Sequence, residues 1–192
     1  MLDAAFSAGG VDEALVVPAA RPPHKASAPA AGFSERVEMA RIMGGLASGN
    51  VSVLDIESRI GGGGPTYTFD TMLALEGDFS DAVLRFLIGG DSLASLHTWF
   101  KAGEIVDRWG VITVPRRGEG DGSEATEKVL TEKWPPAIAS KLLESILPCG
   151  MMDVSSSEVR RLLAEGGDAS AFLPPAILEY IERKGLYKCR KK

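Results

Sequence analysis

Val83-Leu84-Arg85-Phe86-Leu87-Ile88-Gly89-Gly90-Asp91-Ser92 runs an apolar segment into a two-glycine turn and an acid. A short apolar run bounded by turn residues reads as a strand covered on both faces, and such strands belong to parallel sheets lying between helices. The pattern recurs on either side of it. Ala14-Leu15-Val16-Val17 and Val51-Ser52-Val53-Leu54 precede the segment, and Val111-Ile112-Thr113-Val114 follows. A further strand is expected near Met151-Met152-Asp153.

Helical patterns fill the intervals. A short helix reaches Ser7 and stops at Gly9-Gly10, and an amphipathic one runs from Ser34 to about Ala47 with Val37, Met39-Ala40 and Ile42-Met43 on its apolar face. Others are expected at Thr68–Leu75, in short pieces up to Val106, around Ala125–Ile146, from Ser155, and from Pro174-Pro175 to a stop at Gly185. Strands alternating with helices predict an α/β fold with a doubly wound, mainly parallel sheet.

The 192 residues, 45% of them hydrophobic, suit one domain, expected over residues 1–187 with a basic tail at 188–192. The net charge of −5 argues against nucleic acid as the main partner. Cys149 and Cys189 have neither CxxC spacing nor a His/Cys cluster beside them, so a disulfide framework and a structural zinc site are unsupported and a reducing cytoplasm is expected. No apolar run approaches the length of a membrane span, and Asp3 stands where a signal peptide would place a cation, so no membrane is expected as a partner. A homo-oligomer stays open.

In a doubly wound sheet, ligands bind beyond the carboxyl ends of the strands. After Val17 comes Pro18-Ala19-Ala20-Arg21-Pro22-Pro23-His24-Lys25, a stiff loop with an imidazole and two cations. After Leu54 come Asp55 and Glu57, then Gly61–Gly64 and Pro65-Thr66-Tyr67-Thr68-Phe69-Asp70-Thr71. Asp91 follows the strand quoted first, where an acid either holds ribose hydroxyls or caps the next helix. Trp99-Phe100 reads as core packing or as an aromatic face, and Arg116-Arg117 as a solvated pair or a cationic one. Cations, a carboxylate and aromatic rings on one rim point together to a nucleotide.

A second phosphate signal lies in Asp153-Val154-Ser155-Ser156-Ser157-Glu158-Val159-Arg160. Ser155 and Glu158 have capping-box spacing, which places a helix start there. The hydroxyls and free amides at the positive end of the helix dipole, one turn from Arg160, suit phosphate oxygens, although an ordinary capped helix accounts for the segment equally.

Taken in order, these segments resemble the bacterial nicotinate-nucleotide adenylyltransferases, Rossmann-like nucleotidyltransferases of NAD biosynthesis. The resemblance rests on Val17-Pro18 with Pro22-Pro23-His24-Lys25, Pro65–Thr71, Gly89-Gly90-Asp91-Ser92-Leu93 with Trp99, Val114-Pro115-Arg116, Asp153–Arg160, and Tyr180-Ile181-Glu182 with Gly185-Leu186-Tyr187. It implies transfer of AMP from ATP to nicotinate mononucleotide, with pyrophosphate released and magnesium accompanying ATP. By analogy Ser156, Ser157 and Arg160 hold the ATP phosphates, and Gly89 and Asp91 the ribose. Tyr67, Thr68 and Trp99 surround the nicotinate ring, and His24 and Lys25 meet phosphates near the reacting centre.

One departure is large. Members of that family open with a strand and a Gly-Gly-x-Phe-x-Pro-x-His-x-Gly-His turn whose two histidines stabilise the transition state, and nothing in Met1–Gly10 supplies it. His24 and His97 are neither spaced nor placed to replace that pair. The catalytic residues are therefore unknown, with His24 and Lys25 as candidates. The expectation is an active enzyme truncated at its N-terminus, lacking the family's first strand and impaired as it stands. The alternatives are a non-catalytic nucleotide-binding protein of this fold and an adenylyltransferase for another acceptor, such as a pantetheine phosphate.

Overall fold

The computed structural model describes residues 1–21, 30–60, 64–116, 120–150 and 156–187. Its elements alternate as the pattern predicts. Helix α1 (Leu2–Ala8) leads to β1 (Glu13–Val16), α2 (Phe33–Gly44) to β2 (Asn50–Val53), and α3 (Glu57–Ile60) to α4 (Thr68–Asp78). Then come β3 (Phe86–Gly89), α5 (Gly90–Ser95), a 3-10 turn at Leu96–Thr98, α6 (Ala102–Arg108) and β4 (Val111–Val114). Helices α7 (Glu124–Lys133), α8 (Pro136–Glu144), α9 (Ser156–Ala164) and α10 (Pro175–Lys184) complete the described chain.

The strands are parallel and form two pairs. β1 lies on β2 with Glu13 opposite Asn50 and Val16 opposite Val53, and β3 lies on β4 with Phe86 opposite Val111 and Gly89 opposite Val114. Among the described residues no strand joins the two pairs, so β1 and β3 each keep one edge without a strand partner. The far edge of β4 is met by Ser145–Leu147: the Thr113 amide donates to the Ser145 carbonyl and the Leu147 amide to the Thr113 carbonyl, each at 2.8 Å. β4 is buried along its whole length, as a run of Val, Ile, Thr and Val should be in a covered parallel sheet. The Thr113 hydroxyl is satisfied by Ser145 Oγ at 2.8 Å.

Side chains on opposite faces of the strands feed separate clusters. Phe69, Met72 and Leu75 of α4, with Ile105 of α6 and Trp109, pack against Leu15, Val17 and Phe86, so both strand pairs share this cluster. On the other side Ile112, Val114 and Leu147 meet Ala4 of α1 and Leu87. A third group, centred on Leu93, Leu96, Leu130 and Leu142, anchors α5, α7 and α8 behind the β3–β4 pair.

Two boundaries differ from expectation. The single helix expected around Ala125–Ile146 is two helices, because Pro135 has no amide to donate and forces Trp134 out of the helical region, to φ −127° and ψ 150°. The strand expected from Val83 begins only at Phe86, and Val83 is 91% exposed. The strand expected near Met151–Asp153, the Ser155 half of the capping box and the 188–192 tail lie outside the described residues, and α9 is described from Ser156. The stop at Gly185 is as expected: it takes φ +62°, a left-handed value that glycine adopts without a Cβ penalty, and Leu186 closes the cap on the Ile181 carbonyl.

α1 is tied to the turn before β2. Asp3 accepts from the Ser48 amide at 3.0 Å and from Ser48 Oγ at 2.6 Å, and the Phe6 ring lies against Gly49 so closely that a Cβ there would sit 2.7 Å from it. The Ser48 donors hold the Asp3 carboxyl below its ordinary range. A lowered folded-state pKa stabilises at pH values above the unfolded value and stops doing so as pH falls through the folded one. Thermal melts of the wild type and Asp3→Ala should therefore differ near neutrality and converge as the pH falls through the lowered folded-state value. A gap that persists unchanged into acid would show that the carboxylate is not the source.

Candidate active site

Among the described residues, the candidate groups in the segments that follow β2, β3 and β4 come into two groupings through side-chain contacts. In the first, Gly89 is the residue before α5 and Asp91 stands on that helix's first turn. Asp91 Oδ2 accepts from Arg116 Nη1 at 3.2 Å, which ties the end of β3 to the end of β4. Asp91 Oδ1 turns back over Gly89, where a Cβ would lie 2.6 Å from it. Gly120, at φ +59°, presses its backbone onto Gly90 so tightly that a Cβ would meet the Gly90 Cα at 2.5 Å. The carboxylate is thus held at a floor of bare backbone, and it remains exposed.

The second grouping is aromatic. Tyr67 precedes α4 and Thr68 opens it. The Tyr67 carbonyl takes the Asp70 and Thr71 amides at 3.0 and 3.1 Å, so the Thr68 and Phe69 amides stand outside the ladder of the helix, as first-turn amides do. The Tyr67 ring lies 5.0 Å from that of Phe100, and Phe100 meets Phe69 edge-on at 6.2 Å. Trp99, one residue earlier, points the other way: its ring sits edge-on to Phe86 at 5.9 Å, packed against the core. Lys101 takes the left-handed conformation at φ +54° and ψ 35°, rare for a residue with a side chain. Its ammonium lies 4.1 Å over the Phe69 ring. Backbone strain of this kind is concentrated at functional sites.

Ser156, Ser157 and Arg160 share the exposed first turns of α9, and Arg160 Nη2 donates to Ser157 Oγ at 3.2 Å. Burial raises the Tyr187 phenol above its ordinary value, against a smaller lowering by the positive charges of Arg160 and Arg36. No described contact joins Arg160 to Gly89 or Asp91. His24 and Lys25 lie outside the described residues.

Arg36 is the group that the sequence did not mark. On α2 it looks like one more polar-face cation, yet its Nη1 reaches the Ala19 carbonyl at 2.5 Å and its Nε is buried without a partner among the described residues. No local signal could have found it, because its partner is a backbone group brought in by the fold.

Comparison with known proteins follows from this geometry. No family model matches the chain. A protein of Gloeobacter violaceus named as a probable nicotinate-nucleotide adenylyltransferase is 38% identical over 189 residues, 97% of this chain and 87% of its own. The chain belongs to the nicotinate-nucleotide adenylyltransferase family. A protein of the same name in Neisseria meningitidis serogroup C is 38% identical over 181 residues, covering 93% of this chain and 85% of that one. Among solved structures, the Plasmodium falciparum nicotinic acid mononucleotide adenylyltransferase complexed with NaAD superposes with a TM-score of 0.67. Its 18% identity, over 97% of this chain and 87% of that one, speaks for a shared Rossmann-like fold.

Proposed function

We propose that this chain transfers the AMP unit of ATP to nicotinate mononucleotide, forming deamido-NAD and pyrophosphate. A phosphate oxygen of the mononucleotide attacks the α-phosphorus of ATP, the bond to the bridging β-oxygen breaks, and pyrophosphate leaves with that electron pair. Nucleotidyl transfer depends on alignment and on charge stabilisation over the phosphate oxygens, so no side chain has to act as nucleophile. The observation that carries the reading is the 38% identity with relatives of this name across nearly the whole chain. The ion pair of Asp91 with Arg116 and the pairing of Tyr67 with Phe100 support it, since Asp91, Arg116 and Tyr67 lie in segments that carry the family resemblance.

In this reading Gly89 and Asp91 hold the ATP ribose, Ser156, Ser157 and Arg160 its phosphates, and Tyr67 and Thr68 the nicotinate ring, while Trp99, packed on Phe86, braces the segment that carries Phe100. His24 and Lys25 are placed at the reacting phosphates. Magnesium arrives with ATP, bound by triphosphate oxygens and water, as is usual for this ion. Among the described residues no three His, Cys, Asp or Glu side chains gather as a cage, and the exposed cations and amides of the rim suit a metal-bound triphosphate better than a bare ion. Two cysteines without CxxC spacing suit reducing conditions, which supports a cytoplasmic location in this reading. Among the described residues, no helix is long and apolar enough to cross a membrane.

Incubation with magnesium, ATP and nicotinate mononucleotide should yield deamido-NAD and an equal amount of pyrophosphate, each dependent on both substrates. Product from a pantetheine phosphate in place of the mononucleotide would reassign the acceptor. ATP binding without turnover of any acceptor would indicate a nucleotide-binding protein.

A further inference from the structure

The peptide unit joining Ala19 to Ala20 is gripped from two sides by opposite charges. Its carbonyl accepts from Arg36 Nη1 of α2 at 2.5 Å, and its N–H donates to Glu57 Oε2 of α3 at 2.8 Å. In a trans amide these groups point in opposite directions, so a guanidinium on one side and a carboxylate on the other permit one orientation of the plane. Two residues further on, the Arg21 carbonyl accepts from the Thr66 amide at 3.3 Å. Three backbone groups within Ala19–Arg21 are thus held, from α2, from α3 and from the turn leading into α4, immediately before Pro22-Pro23-His24-Lys25 in the sequence.

Glu57 also reaches the other half of the acceptor region. It is only 8% exposed, and its second oxygen, Oε1, accepts from Thr71 Oγ1 of α4 at 3.0 Å, a hydroxyl in turn 3.3 Å from the Tyr67 carbonyl. Burying a carboxylate is costly unless donors meet it, and an apolar side chain of the same size would fill the space without that cost. What the charge adds is orientation of two segments at once.

We propose that Glu57 is a positioning residue for the acceptor. One buried carboxylate holds both the Ala19–Ala20 peptide that follows β1 and the placement of Tyr67 and Thr68 at the head of α4. The inference rests on the functional reading above and adds to it a residue that touches neither substrate. The ATP groups on α5 and α9 make no described contact with Glu57, so the effect of losing it falls on the mononucleotide.

Calorimetric titration of wild type, Glu57→Gln and Glu57→Met with nicotinate mononucleotide, and separately with a non-hydrolysable ATP analogue and magnesium, reads this directly. Glu57→Met should weaken the mononucleotide by about tenfold or more and the ATP analogue by no more than about threefold. Glu57→Gln keeps an acceptor for the Ala20 amide while Thr71 turns its hydroxyl from donor to acceptor, so it should hold both ligands within about threefold of wild type. Equal losses in the two variants, equal losses of both ligands in Glu57→Met, or no loss at all would overturn the assignment. Should Glu57→Met fail to fold, Thr71→Val removes the Oε1 contact together with the hydroxyl's own contact to the Tyr67 carbonyl and leaves the Ala20 contact in place, and unchanged mononucleotide affinity in it would overturn the assignment too. Failure of the wild type to bind the mononucleotide would remove the functional reading and this inference with it, whereas wild-type binding untouched by the variants removes the inference alone.

Discussion

Nicotinate mononucleotide should bind at least about a hundredfold more tightly than its nicotinamide counterpart, a difference of roughly 2.8 kcal/mol. The expectation comes from the head of α4. The Thr68 and Phe69 amides there have no partner in the helix's own ladder, and they lie at the positive end of an 11-residue dipole beside the Tyr67–Phe100 pair. A carboxylate meeting such donors makes charge-assisted hydrogen bonds. A carboxamide can offer its oxygen, but its own N–H groups then face donors, and the mismatch leaves polar groups unpaired in a partly dry site. Trp99, turned toward Phe86, stiffens the segment that carries Phe100. Parallel titrations with the acid and the amide measure the difference, and equal affinities would remove Tyr67 and Thr68 from the acceptor site.

Arg160→Ala should weaken ATP by about ten- to a hundredfold, the range set by losing a charge-assisted contact worth roughly 1.5 to 3 kcal/mol. The Arg160 guanidinium already leans on Ser157 Oγ at 3.2 Å, which holds cation and hydroxyl together at the start of α9. Triphosphate oxygens placed there would meet both, along with the positive end of the helix. Arg160→Lys keeps the charge but not the planar fork, so it should fall between wild type and alanine. Because the side chain is exposed, none of these changes should move the melting temperature appreciably. ATP affinity indistinguishable between wild type and Arg160→Ala would take the phosphate role away from α9.

The acceptor preference and the ATP contact concern different segments of the chain, and the sequence marked both because their signals are local. A two-glycine turn with an acid after a buried strand, a helix start at Ser156 beside a cation, and an aromatic at the head of α4 are each legible within about ten residues, since capping, turn geometry and helix dipoles act over that range. The strands were legible for a similar reason. Val111–Val114 is apolar enough to read as covered on both faces, and the structure buries all four of its residues.

What the sequence could not reach depends on contacts between segments far apart in the chain. Pro135 was visible, but whether it kinks or ends a helix depends on packing, and here α7 and α8 separate at Trp134. The neighbouring rings of Trp99 and Phe100 face different partners, Phe86 and Tyr67, and only the path of the chain after α5 decides which goes where. Arg36 and Glu57 lie 17 and 37 residues from the backbone atoms they grip, and neither bears a local mark of that role. Hydrophobic period and turn chemistry are properties of neighbouring residues and so determined the elements from the sequence by itself, while the family was legible in the resemblance of its motif residues. The grip on the Ala19–Ala20 peptide is a long-range pairing of charge with backbone, which exists only once α2, α3 and β1 have packed, and so only the tertiary structure decided it.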